Sequence, residues 1–305
     1  MRNIKVYHVD AFSKEAFGGN PAGVVPDATM LTEGEMKQIA RELNLSETAF
    51  LLPTKNDQAD YRIRFFTPTT EIDFCGHATL ATAWLLATEN QQNQHSSNAA
   101  LTFETNIGNV PLEFIIENNK LHSVKMTQVE PKTKSVDLRL EQVASLVGLA
   151  VEEINTSYPV RIAYTGNWHL VVPVKTRKAI DSAIPNLLEL AKHNKREGIV
   201  TTHLFTFDSQ EDDCLVYTRD FAPAVGVEED PVTGSANGAL AGYFMLENVL
   251  EMENRQFKIA QGHACGRPGY CNVTIEIENA QPVIKVGGSA VVTISGTLSL
   301  RATAQ

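Results

Sequence analysis

Three short stretches hold the side chains best suited to moving a proton: Ser46-Glu47-Thr48, Cys75-Gly76-His77 and Asp230-Pro231-Val232-Thr233-Gly234-Ser235. Carboxylate, thiol and imidazole are groups whose proton affinities can be brought near neutral pH by their surroundings. Cys75-Gly76-His77 leads into Ala78-Thr79-Leu80-Ala81-Thr82-Ala83-Trp84-Leu85-Leu86-Ala87. A helix that is apolar on every side belongs inside a core. Its first turn would then aim unpaired N–H groups and the positive end of the helix dipole into a buried place beside Cys75 and His77. That is an anion site next to proton carriers. Taken alone, the stretch is explained as well by a plain core helix that opens on a glycine.

Glu47 lies in Asn44-Leu45-Ser46-Glu47-Thr48-Ala49-Phe50-Leu51-Leu52-Pro53, a segment with strand character stopped by proline. In a strand, Glu47 shares a face with Ala49 and Leu51, while Thr48, Phe50 and Leu52 take the other. Neither face offers the carboxylate a clear route to water. Desolvation would raise its pKa and make it a general acid or base near neutral pH. A glutamate at an exposed strand end is the competing reading.

These stretches need elements to position them, and the chain supplies a repeated set. Arg64-Phe65-Phe66-Thr67-Pro68 precedes Cys75-Gly76-His77-Ala78, and Arg219-Asp220-Phe221-Ala222-Pro223 precedes Thr233-Gly234-Ser235-Ala236 and a second apolar segment. The arginines are 155 residues apart and the glycines 158. Ordered landmarks at a half-length offset point to an internal duplication and two halves. Each half would carry a buried helix opening on glycine and small polar residues. Two such helix ends at one cleft suit a small carboxylate-bearing substrate. With Glu47, Cys75, His77 and Asp230 as proton carriers, the expected chemistry is proton abstraction beside a carbonyl or carboxyl, or a proton-shift isomerisation.

Composition narrows the partners. The 305 residues are 43% hydrophobic and 20% charged, enough to bury a substantial core. A formal net charge of −10 argues against nucleic acid or an anionic membrane as the main partner. No apolar run is long enough to cross a bilayer, and the first residues lack the apolar core of a signal peptide. The four cysteines (Cys75, Cys214, Cys265, Cys271) have neither disulfide-framework nor zinc-site spacing, so a cytoplasmic protein with reduced thiols is expected. His8, His95, His122, His169, His193, His203 and His263 show no metal-ligand spacing and are read as structural or surface residues. No dinucleotide fingerprint, phosphate loop or Schiff-base lysine context occurs, so neither cofactor nor metal is expected.

In chain order, strands are expected at 4–11, 60–66, 100–105, 110–116 and 121–127, the last three as an antiparallel meander. Phe17-Gly18-Gly19-Asn20-Pro21-Ala22-Gly23 reads as a tight turn with an amide able to reach a ligand. Thr32 caps a helix to Leu43. Thr88 to Asn98 reads as a solvated polar loop, and residues 129–135 as the crossing between halves. Helices are expected at 140–149 and 178–193, the latter broken near Pro185. Strands follow at 159–163, 168–173, 199–206 and 214–219, and the tail holds strands around Gly287-Gly288.

Asn44-Leu45-Ser46-Glu47-Thr48, Asp73-Phe74-Cys75-Gly76-His77-Ala78-Thr79 and Glu229-Asp230-Pro231-Val232-Thr233-Gly234-Ser235-Ala236 resemble the motifs of the PhzF-like isomerases of phenazine biosynthesis. Gly19-Asn20-Pro21, Gly266-Arg267-Pro268-Gly269 and Val286-Gly287-Gly288 fit the same pattern, so the resemblance spans the chain in order. It implies an α+β, diaminopimelate-epimerase-like fold of two pseudo-symmetric halves, each a mainly antiparallel, barrel-like sheet wrapped around a central helix. The halves are expected at 1–128, completed by a returning strand near 290–305, and at 129–289, with the active site in the cleft between them. The resemblance further implies a homodimer, no cofactor, and Glu47 as the acid/base that moves a proton across the substrate. His77 and Asp230 would assist, and Asn20, Gly76, Ala78, Gly234 and Ser235 would bind the substrate, the helix ends taking its carboxylate.

Related epimerases and racemases of this fold use two cysteines, one from each half. Here Cys75 occupies the first position, but its counterpart is Thr233 and no thiol stands in Asp230–Ser235. A two-thiol racemase therefore lacks its second base, and Cys75 is read as a small packing residue. An amino-acid epimerase, or a binding protein that kept the cleft, remains the alternative to a cofactor-independent isomerase.

Overall fold

The computed structural model describes residues 1–92 and 100–301, and its chain divides into two compact units. The first comprises Met1–Met126 with Gly287–Gln305, and the second Thr127–Val286.

The first unit runs β1 (Arg2–Ala11), β2 (Asn20–Val25), α1 (Glu33–Leu43), β3 (Thr48–Leu52), β4 (Tyr61–Phe66), β5 (Glu71–Ile72), α2 (Gly76–Gln92), β6 (Ala100–Thr105), β7 (Gly108–Glu117) and β8 (Lys120–Thr127). The second runs β9 (Lys132–Ser135), α3 (Leu140–Val147), β10 (Arg161–Tyr164), β11 (Trp168–Pro173), α4 (Arg177–Ser182), α5 (Leu187–Glu197), β12 (Thr201–Thr206), β13 (Val216–Ala222), β14 (Val227–Asp230), α6 (Gly234–Leu246), β15 (Arg255–Gln261), β16 (Gly269–Glu278) and β17 (Gln281–Gly288). The chain then returns to the first unit as β18 (Ala290–Leu300), antiparallel to β1.

The duplication is written in the strand pairing. In the first unit β1–β2 is antiparallel, β2–β3 parallel, β3–β4 and β4–β5 antiparallel, and β4–β6 parallel. In the second, β10–β11, β11–β12, β12–β13, β13–β14 and β13–β15 repeat those orientations one for one. The side chains echo too. Arg64 forks onto Glu71 at 2.7 and 2.6 Å and lies over the Phe66 ring; Arg219 forks onto Glu229 at 2.9 and 2.8 Å and lies over Phe221. Each pair ties the strand before the turn to the short strand that feeds the helix.

Each unit wraps its sheet on an apolar helix. α2 packs on β1, β2, β3 and β18, with Leu80 and Leu85 almost fully buried. Each such leucine contributes roughly 1.5–3 kcal/mol. Its threonines survive burial because Thr79 Oγ1 donates to the Cys75 carbonyl at 2.6 Å and Thr82 Oγ1 to the Ala78 carbonyl at 2.7 Å. α6 packs on β9, β10, β11 and β16, and Gly242 is required there: a Cβ would sit 2.4 Å from Pro131 Cβ.

Several expectations need correction. The strand expected from Asn44 begins only at Thr48, because Asn44 adopts φ 52° and caps α1 by donating its N–H to the Ala40 carbonyl. The polar run from Thr88 continues α2 to Gln92, and its remaining residues, with His95, lie outside the described residues. The crossing expected at 129–135 carries a strand of its own, β9, paired antiparallel with β10, and the second unit already begins at Thr127. At Gly287 the backbones pass so closely that a Cβ would lie 2.3 Å from the Val124 carbonyl oxygen.

Candidate active site

Glu47 sits in the link between α1 and β3, and its backbone carbonyl accepts from Gly23 N–H at 3.0 Å. β3 lies parallel beside β2, with Gly23 opposite Thr48, where any Cβ on Gly23 would come within 2.6 Å of the Thr48 hydroxyl. Glycine thus lets the two strands close and places Glu47 against the head of α2. There Glu47 Oε2 lies 3.3 Å from His77 Nε2, with 19% and 10% of the side chains exposed. The carboxylate is half-buried rather than cut off from water.

Burial pushes the His77 imidazole below its ordinary pKa, against the opposing pull of Glu47 and a hydrogen bond to the Pro21 carbonyl. A neutral imidazole has one N–H, for which Glu47 and Pro21 compete. The two side chains thus meet as a carboxyl and an imidazole held within 3.3 Å of one another. Cys75 Sγ approaches His77 Nδ1 at 3.4 Å, so the thiol touches the pair instead of serving only as packing.

Cys75 heads α2, accepting Thr79 N–H at 3.0 Å, and helix geometry leaves the N–H groups of Gly76, His77 and Ala78 without helical partners. A Cβ on Gly76 would meet only Met126 Cε at 3.6 Å, so space remains over that turn. Asn20, almost wholly buried, opens β2 next to Pro21. The first unit thus brings together Glu47, His77, Cys75, Gly76 and Ala78, and holds Asn20 beside the imidazole's carbonyl partner. Glu47, Cys75 and His77 each offer a donor atom within 4.8 Å of the others, a set able to hold a metal. Glu211, Asp213 and Cys214 form another such group, but Lys258 occupies Asp213 and burial pushes the Cys214 thiol up to about 12.

In the second unit Asp230 ends β14, and Thr233 starts α6 with Gly234 and Ser235 in the first turn. Thr233 Oγ1 lies 2.5 Å from Asp230 Oδ2 and 2.9 Å from Asp220 Oδ2. Gln261 braces the turn, accepting Thr233 N–H at 3.1 Å and donating to the Asp230 carbonyl at 3.0 Å. The Ser235 carbonyl accepts from Thr165 at 3.1 Å.

Behind this turn lies a network that inspection of the sequence missed. Asp220 and His203 are completely buried and meet at 2.9 Å, and Thr201 donates to Asp220 at 2.7 Å. His203 Nε2 contacts Asn237 Oδ1 at 3.1 Å, and His169 Nδ1 contacts Thr201 at 2.7 Å. The available signal was a carboxylate in the middle of a strand segment, next to Phe221 and Ala222, which if buried must find a partner.

Residues 9–296 match the family model described as phenazine biosynthesis-like protein. The chain belongs to the PhzF-like family. An uncharacterized isomerase of Clostridium acetobutylicum is 36% identical over 305 residues, covering 98% of this chain and 99% of the relative. The trans-2,3-dihydro-3-hydroxyanthranilate isomerase of Pseudomonas chlororaphis is 31% identical, covering 96% and 98%. The crystal structure of a Bacillus anthracis PhzF-family protein superposes with a TM-score of 0.89 at 31% identity, over 98% of this chain and all of that one. A hydroxyproline epimerase from Agrobacterium vitis, at 14% identity and a TM-score of 0.64, shares the α+β fold. The chain is thus an isomerase of the PhzF-like family. Among the described residues no helix is long and apolar enough to cross a membrane.

Proposed function

We propose that this PhzF-like isomerase moves a proton along a small carboxylate-bearing substrate without a cofactor, with Glu47 as the mobile acid/base. The observation that carries the reading is the 3.3 Å contact between Glu47 and His77 beside the open first turn of α2. The Glu47 carboxylate takes a proton from an activated C–H, the bonding pair shifts into the adjacent unsaturated system, and the carboxyl returns the proton at another carbon. Electrons and atoms balance within the substrate. His77 supports both protonation states of Glu47, donating its N–H to the emptied carboxylate and offering a bare ring nitrogen to the filled carboxyl.

The N–H groups of Gly76 and Ala78 suit the substrate carboxylate. A dihydro-aromatic acid is the class favoured by the Pseudomonas chlororaphis relative. Incubating the protein in D₂O with trans-2,3-dihydro-3-hydroxyanthranilate and a panel of small amino and hydroxy acids tests this. Isomerisation or carbon-bound deuterium in a member of the panel supports it; binding with neither leaves a non-catalytic binder and refutes it.

A further inference from the structure

We propose that Glu47, Cys75 and His77 together bind one zinc-class divalent cation, and that the bound ion takes Glu47 out of proton transfer. The first half stands on geometry; the second rests on the reading of Glu47 as the mobile acid/base.

Cys75 and His77 flank Gly76 at the head of α2, and Cys75 Sγ lies 3.9 Å from His77 Nε2. Glu47 Oε2 reaches the same nitrogen at 3.3 Å, and one donor atom from each residue lies within 4.8 Å of the others. A tetrahedral zinc ion holds sulfur at about 2.3 Å and nitrogen or carboxylate oxygen at about 2.0–2.2 Å, which separates its ligand atoms by roughly 3.3–3.6 Å. The nitrogen–oxygen spacing already meets that range. Rotation of the Glu47 and Cys75 side chains closes the rest.

The surroundings hold the ligands in place. The Pro21 carbonyl accepts from the imidazole, Gly23 N–H holds the Glu47 carbonyl at 3.0 Å, and Thr79 holds the Cys75 carbonyl through Oγ1 at 2.6 Å and N–H at 3.0 Å. Outer contacts of this kind orient ligands for a metal. Cys75 and His77 are buried, whereas Glu47 keeps 19% of its side chain exposed, so an ion can enter on the Glu47 side. Gly76 leaves room over the first turn for a water as fourth ligand, since a Cβ there would meet only Met126 Cε at 3.6 Å.

Charge and softness select the ion. Thiolate and carboxylate together neutralise a divalent cation; binding sends the thiol proton to solvent, and the imidazole keeps one N–H on its other nitrogen. The N–H groups at the head of α2 oppose a cation but favour the thiolate that holds it. Thiolate with imidazole prefers zinc, cobalt or cadmium to magnesium or calcium. The Glu211, Asp213 and Cys214 group is a poor rival, because Lys258 sits on Asp213 while Arg177 and His263 engage Glu211. An ion on both Oε2 and Nε2 occupies the two partners of the Glu47–His77 contact, so zinc inhibits the isomerase.

Titrating the whole reduced protein with Co²⁺, then displacing it with Zn²⁺, reads the site without substrate, so a failed isomerase assay and a failed metal assignment are told apart. The expected result is one equivalent per chain, with a sulfur-to-cobalt charge-transfer band that Zn²⁺ removes and Mg²⁺ does not. Cys75→Ala abolishes the band, Cys214→Ala keeps it, and Glu47→Gln weakens Zn²⁺ binding by about tenfold or more. No cobalt binding by the wild type, or a full band in Cys75→Ala, overturns the site. Should Cys75→Ala not fold, unchanged Zn²⁺ affinity in Glu47→Gln overturns it instead. In the deuterium-exchange assay, one bound equivalent of Zn²⁺ stops exchange and a chelator restores it. Full exchange with the ion bound overturns the inhibition, and a wild type without exchange refutes the reading of Glu47 and the inhibition with it.

Discussion

Glu47 and His77 meet at 3.3 Å although one comes from the link after α1 and the other from the first turn of α2. What joins them is β2: Gly23 N–H holds the Glu47 carbonyl, and the Pro21 carbonyl takes the imidazole. The Glu47–His77 contact is therefore anchored to a strand rather than left to two loops.

Cys75 touches this pair without having a thiol counterpart at Thr233. Cys75→Ala should keep turnover within about threefold of wild type and leave the fold intact, as expected for a small buried side chain that takes no part in the proton transfer. Steady-state kinetics on the identified substrate, with and without thiol alkylation, check this. Loss of activity on a scale of hundreds would restore the thiol-based epimerase reading.

The glycines of the first unit separate fold from function. Gly19 has φ +57°, and a Cβ there would sit 2.0 Å from the Ala11 carbonyl oxygen. Gly19→Ala should destabilise by about 3 kcal/mol or more. Gly76→Ala meets only a methionine methyl at ordinary contact distance, so its melting temperature should stay near wild type. A fall in activity without a fall in stability would then report crowding over the α2 amides. Calorimetry with parallel activity assays distinguishes the two.

Arg219 donates to the Ile180, Asp181 and Ala183 carbonyls as well as to Glu229. Removing it strands a partly buried carboxylate and the end of α4. Arg219→Ala should cost about 3–5 kcal/mol in urea unfolding, and Arg219→Lys should recover little, because an ammonium cannot make the fork.

His169 gives the pH dependence. Burial lowers its pKa from 6.5 to about 4, with Asp220 opposing and His203 assisting. Between those values the unfolded chain binds the proton more tightly, so stability rises with pH. The contribution, up to about 3 kcal/mol, is complete above the unfolded value, shrinks as pH falls through the window, and levels off below the folded value. The slope of melting temperature against pH between 6.5 and 4 should be shallower in His169→Gln.

Much of this was legible in the chain. Thr32 caps α1 with its own hydroxyl, and β11 occupies the expected 168–173. The R-x-F echo proved to be two equivalent arginine forks at equivalent strands. Glu47 was expected in a strand but lies in the link before it, because a lone asparagine in the left-handed region ends a helix without a glycine to announce it. The Asp220–His203 pair was passed over because a strand's alternation hides which polar residues face one another across neighbouring strands. Their register, His203 opposite Asp220, exists only in the folded sheet.

Proton transfer by Glu47 can be read directly. The direct measurement is solvent deuterium incorporation at substrate carbon, by NMR in D₂O, for wild type and Glu47→Gln at matched ligand saturation. If Glu47 carries the proton, Glu47→Gln binds substrate with near wild-type affinity and loses exchange and isomerisation together. Exchange at the wild-type rate in Glu47→Gln would contradict it.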